Sequence, residues 1–454
     1  MIFGETIQVP PITIVGLGPG DRSRRTVVVQ ESLDVADCIL ARTLRHPGLD
    51  DLATDARAQD VSALVSTLPG DTMDWAAGAR MACDLAAQGK YVVVAVPGHP
   101  FYGERLVLET IAQAEKRGIA TTVHDGLSTF DLISTALRID AMVDEVQVVD
   151  AAAEVHRIGS DMFGGGLFPF TPHRPMIISR VYTTQVVLGV QLLLKRIFPR
   201  DHPITVIDGA GMSGIETIRI VALEELGVVD GGSLVSLHVP AIDTLAGTRD
   251  PRAMQHISAR LRQPDGCQWD RVQTHQSLRE TFIAEVYEVL DAIDSDDPVN
   301  LMEELGDLFL LVTLNAQVAE ENGTFTLEDV YESAASKIVR RHPHVFAGEH
   351  AESPEDLARI WKRVKAEERA DALVPKPEKD FDDEPRSKPA ITRAAKILKA
   401  HPLPTGATSP GRTSDERAAD LMKAVAAIVD AGDDPDRILL DELREHHRHA
   451  THQP

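Results

Sequence analysis

The feature that most constrains the fold is a change of rhythm near residue 250. From Ile12 to about Pro240, short apolar runs alternate with amphipathic stretches. Ile12–Val15, Tyr91–Val96, Met176–Ile178 and Ile204–Ile207 read as buried strands, most followed within a few residues by Gly or Pro. This is the pattern of a largely parallel sheet covered by helices. From about Gln255 no convincing strand follows. Long helical patterns replace it at Ser277–Ile293, Pro298–Glu321, Leu327–Arg341 and Pro354–Glu368. The segment Ala241–Pro251, with breakers at Asp243, Gly247 and Pro251, reads as a linker.

A chain of 454 residues is long enough for two or three domains. The pattern predicts an α/β region over 1–245, an all-α region over 246–370, and a tail over 371–454. That tail, rich in Pro, Asp and Lys, reads as mostly disordered. Short helices are expected in it near Ser414–Val429 and Pro435–His447, and the histidines at 446, 447, 449 and 452 read as a solvated polar end rather than a metal site. A formal charge of −24 argues against nucleic-acid or anionic-membrane binding, which needs a basic footprint. The absence of a long apolar run, of a signal-peptide pattern and of metal-type spacing among Cys38, Cys83 and Cys267 suits a cytoplasmic protein.

Chemistry concentrates in the helical region. Glu285 and Glu288 are three residues apart and share one helix face, as do Glu304 and Asp307. Between the pairs, Asp294-Ser295-Asp296-Asp297-Pro298 reads as a turn with proline opening the second helix. Two antiparallel helices joined there would set the pairs opposite each other. Four carboxylates so placed repel unless cations neutralise them, and hard oxygen donors suit Mg²⁺ or Mn²⁺. The competing reading is a solvated acidic face. Against it, Glu304 and Asp307 continue a stripe that includes Leu308, Leu311 and Asn315. His342 and His344 are expected to mark a helix end around Pro343, and Met254, Met302 and the tryptophans to pack inside.

Several motifs here resemble the MazG-type pyrophosphohydrolases in order and spacing. They are Cys267-Gln268-Trp269-Asp270 with Gln273-Thr274-His275, the two acidic pairs, the run Lys337 to Phe346, and Ile360-Trp361-Lys362 with Lys365. The resemblance implies that Glu285, Glu288, Glu304 and Asp307 bind the metal. It implies hydrolysis of nucleoside triphosphates to monophosphate and pyrophosphate. Lys337, Arg341 and Lys365 fall at phosphate-holding positions, Trp361 at the aromatic near the nucleotide, and a homodimer is implied. Two positions depart from the family pattern: Ala284 stands where a glutamate is usual, and Gln268 where a proline is.

The first region opens with Val15-Gly16-Leu17-Gly18-Pro19-Gly20-Asp21. On its own this is a strand followed by a tight turn or a close-approach loop. Together with Ala95 to Gly103, Asp125 to Asp131 and Ile207 to Ala210, it resembles the tetrapyrrole (corrin/porphyrin) methylase family. That implies two α/β lobes with S-adenosylmethionine between them, bordered by Pro19, Gly98, His99, Ser128 and Thr129. His99 stands where the family usually has Asp, and Asp125 where Pro is common. Two rival functions follow: methyl transfer to a tetrapyrrole-like substrate with an accessory helical module, or a non-enzymatic nucleotide sensor.

Overall fold

The computed structural model describes residues 10–46, 49–68, 72–160, 168–243 and 245–370, with parts of 416–445. It forms two compact units, Met1–Leu327 and Glu328–Pro454.

The first lobe of the first unit runs β1 (Ile12–Gly16), α1 (Val27–Asp34), β2 (Cys38–Ala41), α2 (Asp50–Ala53), β3 (Ala58–Asp60), β4 (Ser66–Leu68), β5 (Thr72–Asp74), α3 (Ala76–Ala87), β6 (Val92–Val96), α4 (Arg105–Lys116) and β7 (Thr121–His124). Five strands pair in the order β3-β2-β6-β1-β7, all parallel. Parallel neighbours need crossovers, so the sheet is covered on both faces and its inner strands β1, β2 and β6 are largely apolar, while the edge strands β3 and β7 carry polar residues. The side-chain period of two sorts them. Ile12, Ile14, Val92, Val94 and Val96 enter one core, while Val15, Ile39, Val93 and Ala95 enter the other.

The second lobe runs α5 (Thr129–Leu137), β8 (Gln147–Asp150), α6 (Ala151–Ser160), β9 (Met176–Ser179), α7 (Thr184–Leu194), β10 (Pro203–Asp208), β11 (Thr217–Ala222) and β12 (Val235–Val239). Its sheet, β11-β10-β12-β9-β8, corrects the expectation of a largely parallel arrangement. Only β8 and β9 run parallel; the other three pairings are antiparallel. The cause is local. The link from β10 to β11 turns through Gly209, Gly211 and Gly214, all at positive φ, and carries no helix to cross over.

The segment expected to be a linker is packed. Ile242 is buried and its N–H donates to the Pro172 carbonyl at 2.9 Å, while Asp250 is 3% exposed. Asp250 caps α8 (Pro251–Leu261) by accepting from the Arg252 N–H, and proline takes the first helical position. Arg252 in turn donates to the Phe170 carbonyl at 2.6 Å. The breakers at 243, 247 and 251 therefore shape an anchored turn.

The helical part of this unit continues with α9 (Gln268–Arg271), α10 (Arg279–Asp294) and α11 (Pro298–Glu321). Both α8 and α10 pack on α11. Between α8 and α11 the buried hydroxyls of Ser258 and Thr313 share a hydrogen bond of 2.8 Å. The second unit carries α12 (Leu327–Arg341, its first residue at the junction), α13 (Pro343–Phe346) and α14 (Pro354–Ala370). His342 stands between α12 and α13 as expected, its Nδ1 2.7 Å from the Ile338 carbonyl. The expectation that methionine and tryptophan pack inside holds for Trp75 and fails for Met302, Trp269 and Trp361, which are 44–66% exposed. Among the described residues of their own units, nothing covers those helix faces. In the tail, the described residues within 416–428 and 437–445 are helical; the histidine run lies outside the described residues, as does most of the segment expected to be disordered. No helix among the described residues is long and apolar enough to cross a membrane.

Candidate functional site

The turn between α10 and α11 sets the geometry of the acidic site. Asp296 takes the left-handed conformation at φ 53°, and the Asp297 carboxylate accepts from the Val299 and Asn300 N–H groups at 3.0 and 3.1 Å. Pro298 then opens α11. The helices return antiparallel, and one stripe of α10 faces one stripe of α11. Leu278, which caps α10, and Phe282 within it meet Leu311 and Leu314 on α11 in a small apolar cluster. Glu285 and Glu288 lie further along the α10 stripe, and Glu304 and Asp307 further along that of α11.

This places carboxylate oxygens of Glu285, Glu288 and Glu304 within 4.8 Å of one another. Asp307 lies outside that closest group but near enough for its charge to act on both Glu285 and Glu304. The Glu285 carboxyl is pushed above its ordinary value by desolvation, then by Glu288 and Asp307. Glu304 moves the same way, through desolvation first and then through Glu288 and Glu285. Glu304 Oε2 is inaccessible to solvent and, among the described residues, no ordinary donor reaches it; the Glu288 carboxyl lies within hydrogen-bond reach of the Glu304 carboxyl and also raises it. An acceptor-only cluster with an orphaned buried oxygen fits a hard divalent cation, which would satisfy that oxygen and remove the repulsion.

The approach to α10 is built around Arg262, whose side chain is 7% exposed. Its guanidinium donates to the Asp270 and Gln273 carbonyls at 2.6 and 3.0 Å and pairs with Glu321. His275 is held 2.9 Å from Asn315 Oδ1. The Cys267–Leu278 motif is thus fastened to the C-terminal part of α11, directly through Asn315 and by way of Arg262 through Glu321.

In the second unit, Lys337, Trp361 and Lys365 are exposed, and Trp361 meets the His342 ring edge-on at 6.1 Å. Arg341 is engaged: its guanidinium donates to Glu368 at 2.7 Å. Arg341 and Arg340 together hold the Glu368 carboxyl down to about 2.

A second site occupies the cleft between the α/β lobes of the first unit. Three loops at the carboxyl ends of β1, β6 and β7 meet there with no room for side chains. A Cβ on Gly16 would lie 2.6 Å from the Gly98 carbonyl oxygen, and one on Gly126 would lie 2.4 Å from that of Gly16. Gly18 and Gly98 bridge backbone to backbone at 2.9 and 3.2 Å. The glycine-rich opening therefore serves loop-on-loop packing, at the edge where open α/β sheets bind ligands. The resulting cavity of about 330 Å³ is lined by Pro19, Gly98, His99 and Thr129. Ser128 stands apart from that lining; its hydroxyl caps α5 in a reciprocal box with Asp131. The structure adds residues that sequence reasoning missed: Arg42, Tyr102, Glu104 and Arg180 also line the cleft.

Comparison with known proteins agrees with both architectures. Residues 11–227 match the tetrapyrrole (corrin/porphyrin) methylases and residues 273–346 the MazG nucleotide pyrophosphohydrolase domain. An uncharacterized Bacillus subtilis protein, YabN, is 33% identical over 398 residues, covering 86% of this chain and 76% of that protein. The chain belongs to the family that joins a tetrapyrrole methylase domain to a C-terminal MazG domain. A nucleoside triphosphate pyrophosphohydrolase of Escherichia coli is 44% identical over 144 residues, 32% of this chain and 54% of that one. The MazG pyrophosphohydrolase/pyrophosphatase of Thermotoga maritima is 46% identical over 113 residues, 25% of this chain and 43% of that one. The chain thus spans about half the length of these two relatives.

Proposed function

We propose that the helical module hydrolyses nucleoside triphosphates to monophosphate and pyrophosphate, using Mg²⁺ or Mn²⁺ held by Glu285, Glu288, Glu304 and Asp307. The observation that carries this reading is the carboxylate cluster with a solvent-inaccessible Glu304 oxygen that only another carboxyl approaches, inside a region that matches the MazG domain. Bound divalent metal would supply Lewis-acid activation of a phosphoanhydride and a water of lowered pKa. The chain's own contribution is to hold four carboxylates on two helices that are packed together by the neighbouring apolar cluster of Leu278, Phe282, Leu311 and Leu314. Lys337, Arg341, Trp361 and Lys365 are proposed as phosphate and nucleotide contacts, on the chemistry of their side chains and the motif match. For Arg341 this requires exchange of its Glu368 partner for phosphate.

A homodimer is part of the proposal. Val286, Leu290, Ile293, Val299, Met302 and Leu305 are 44–66% exposed on α10 and α11, an apolar surface that suits a second copy. The proposed setting is the cytoplasm, without nucleic-acid or membrane partners. In the α/β lobes, S-adenosylmethionine is proposed for the cleft lined by Pro19, Gly98, His99 and Thr129, with Ser128 holding the start of α5 beside it, supported by the cavity and by the methylase match.

The test is pyrophosphate release from a panel of nucleoside triphosphates with and without Mg²⁺, comparing wild type with Glu304→Ala plus Asp307→Ala. Metal-dependent release lost in the double variant is expected. No release from any substrate by a folded, metal-binding protein would refute the hydrolase reading.

A further inference from the structure

A separate cavity of about 330 Å³ opens beside the second lobe and shares no lining residue with the cleft between the lobes. One wall is the chain that leaves α7, from Lys195 to Arg200. The other is the turn ahead of α8, from Ala246 to Arg249. Ile197 and Phe198 in the first wall belong to the apolar core of the lobe, so that side of the cavity is firmly held.

The charge of this cavity is one-sided. Lys195, Arg200 and Arg249 line it, and no acid does, in a chain with 70 acidic residues against 46 lysines and arginines. Like charges gathered in one place repel, and nothing in the lining relieves them. A cation at the end of a helix complements its dipole, which accounts for Lys195 at the C-cap of α7 but for neither arginine. Arg249 Nη1 donates to the Lys195 carbonyl at 3.1 Å and so draws the two walls together. Its other nitrogens, and the Lys195 ammonium, have no hydrogen-bond or ion-pair partner among the described residues. Arg200 meets Glu224 at 3.3 Å, with the two side chains 81% and 54% exposed, so solvent screens that pair. Thr248 adds a hydroxyl to the lining.

We propose that this cavity is a phosphate site, in which Lys195, Arg200 and Arg249 hold the phosphate group of a small molecule. Guanidinium forks grip phosphate oxygens in pairs, and an ammonium supplies a compact point charge beside them. The volume is at the small end of ligand pockets, so the bound molecule is compact; pyrophosphate and a nucleoside monophosphate both carry the required chemistry. Occupancy ties the end of α7 to the turn that leads into Asp250, the residue that caps α8. Since α8 packs on α11, the ligand also braces the helix pair beyond it. The proposal rests on neither the hydrolase nor the cofactor reading, because none of its residues belongs to the acidic cluster or to the cleft.

The full chain is titrated calorimetrically with pyrophosphate and with adenosine monophosphate, in EDTA so that the carboxylate cluster holds no metal. The two probes separate an inorganic ligand from a nucleotide. At least one is expected to bind with a Kd below about 1 mM. Binding should be at least about tenfold weaker in Lys195→Gln plus Arg200→Gln, two side chains outside the core, with near-ultraviolet circular dichroism checking the fold. Hydrogen exchange on wild type gives a reading that needs no variant: the bound probe should slow exchange over residues 195–200 and 246–250. Absence of binding by both probes overturns the proposal. So does binding unchanged in the folded double variant, or slowing confined to the loops after β1, β6 and β7.

Discussion

Replacing Glu104 with glutamine should change how stability depends on pH, by an amount that follows from its burial. Desolvation raises its carboxyl from an ordinary 4.5 to about 7, net of the lowering by Arg42 and Arg180. Between those values the folded chain keeps the proton while the unfolded chain has released it. Stability contributed by this group therefore falls as pH rises through the window, at about 1.4 kcal/mol per pH unit. The penalty is absent below about pH 4.5, full above about pH 7, and amounts to about 3 kcal/mol. Glutamine stands in for the protonated acid and does not titrate. The variant should gain about 3 kcal/mol on wild type between pH 4.5 and pH 8, with titrations common to both proteins cancelling in the difference. Urea denaturation followed by far-ultraviolet circular dichroism at several pH values measures it. A difference that stays flat within about 0.5 kcal/mol across the range would refute the argument, as would one of opposite sign.

Three further outcomes follow from geometry already described. Gly126→Ala should destabilise the first lobe by at least about 1–3 kcal/mol, because a Cβ there would meet the Gly16 carbonyl at 2.4 Å; an unchanged melting temperature contradicts the loop packing. Thr313→Val strands the buried Ser258 hydroxyl and should cost about 1–3 kcal/mol, whereas Ser258→Ala leaves Thr313 its bond to the Leu310 carbonyl and should cost about 1 kcal/mol. The double variant should cost less than the sum, and hydrogen exchange along α11 would expose simple additivity. Mg²⁺ should slow exchange in α10 and α11 of wild type and leave Glu304→Ala plus Asp307→Ala unaffected; equal slowing in both would move the metal away from this cluster.

What could be read from residues alone divides along physical lines. Apolar runs such as Val92–Val96 and helices framed by Pro298 or Pro354 announce themselves, because burial and backbone stops act locally. Strand direction does not: β10 and β12 are as apolar as parallel strands, and only the glycine-rich return after Asp208 hints at their pairing. The acidic pairs were legible because helical spacing brings them to one face and the turn at Asp296 and Asp297 reverses the chain. Glu104 was not. Nothing in the surrounding sequence separates it from the many surface acids, and its partners arrive from residues 42 and 180. The anchoring of Asp250 was hidden in the same way, since breaker residues read alike in a free linker and in a packed turn.

The position of β1 in its sheet has a consequence for biosynthesis. It is made first, yet its two neighbours are β6 and β7, whose last residue is His124. A ribosome adding roughly 5–20 residues per second needs about 5–20 seconds to travel from Gly16 to that point. Until Val96 has been added the buried strand has neither partner, and until His124 it still lacks one, with the loop after it not yet closed. The ligand cleft is therefore among the last features of the first lobe to form, although the segment that opens it is among the first to emerge.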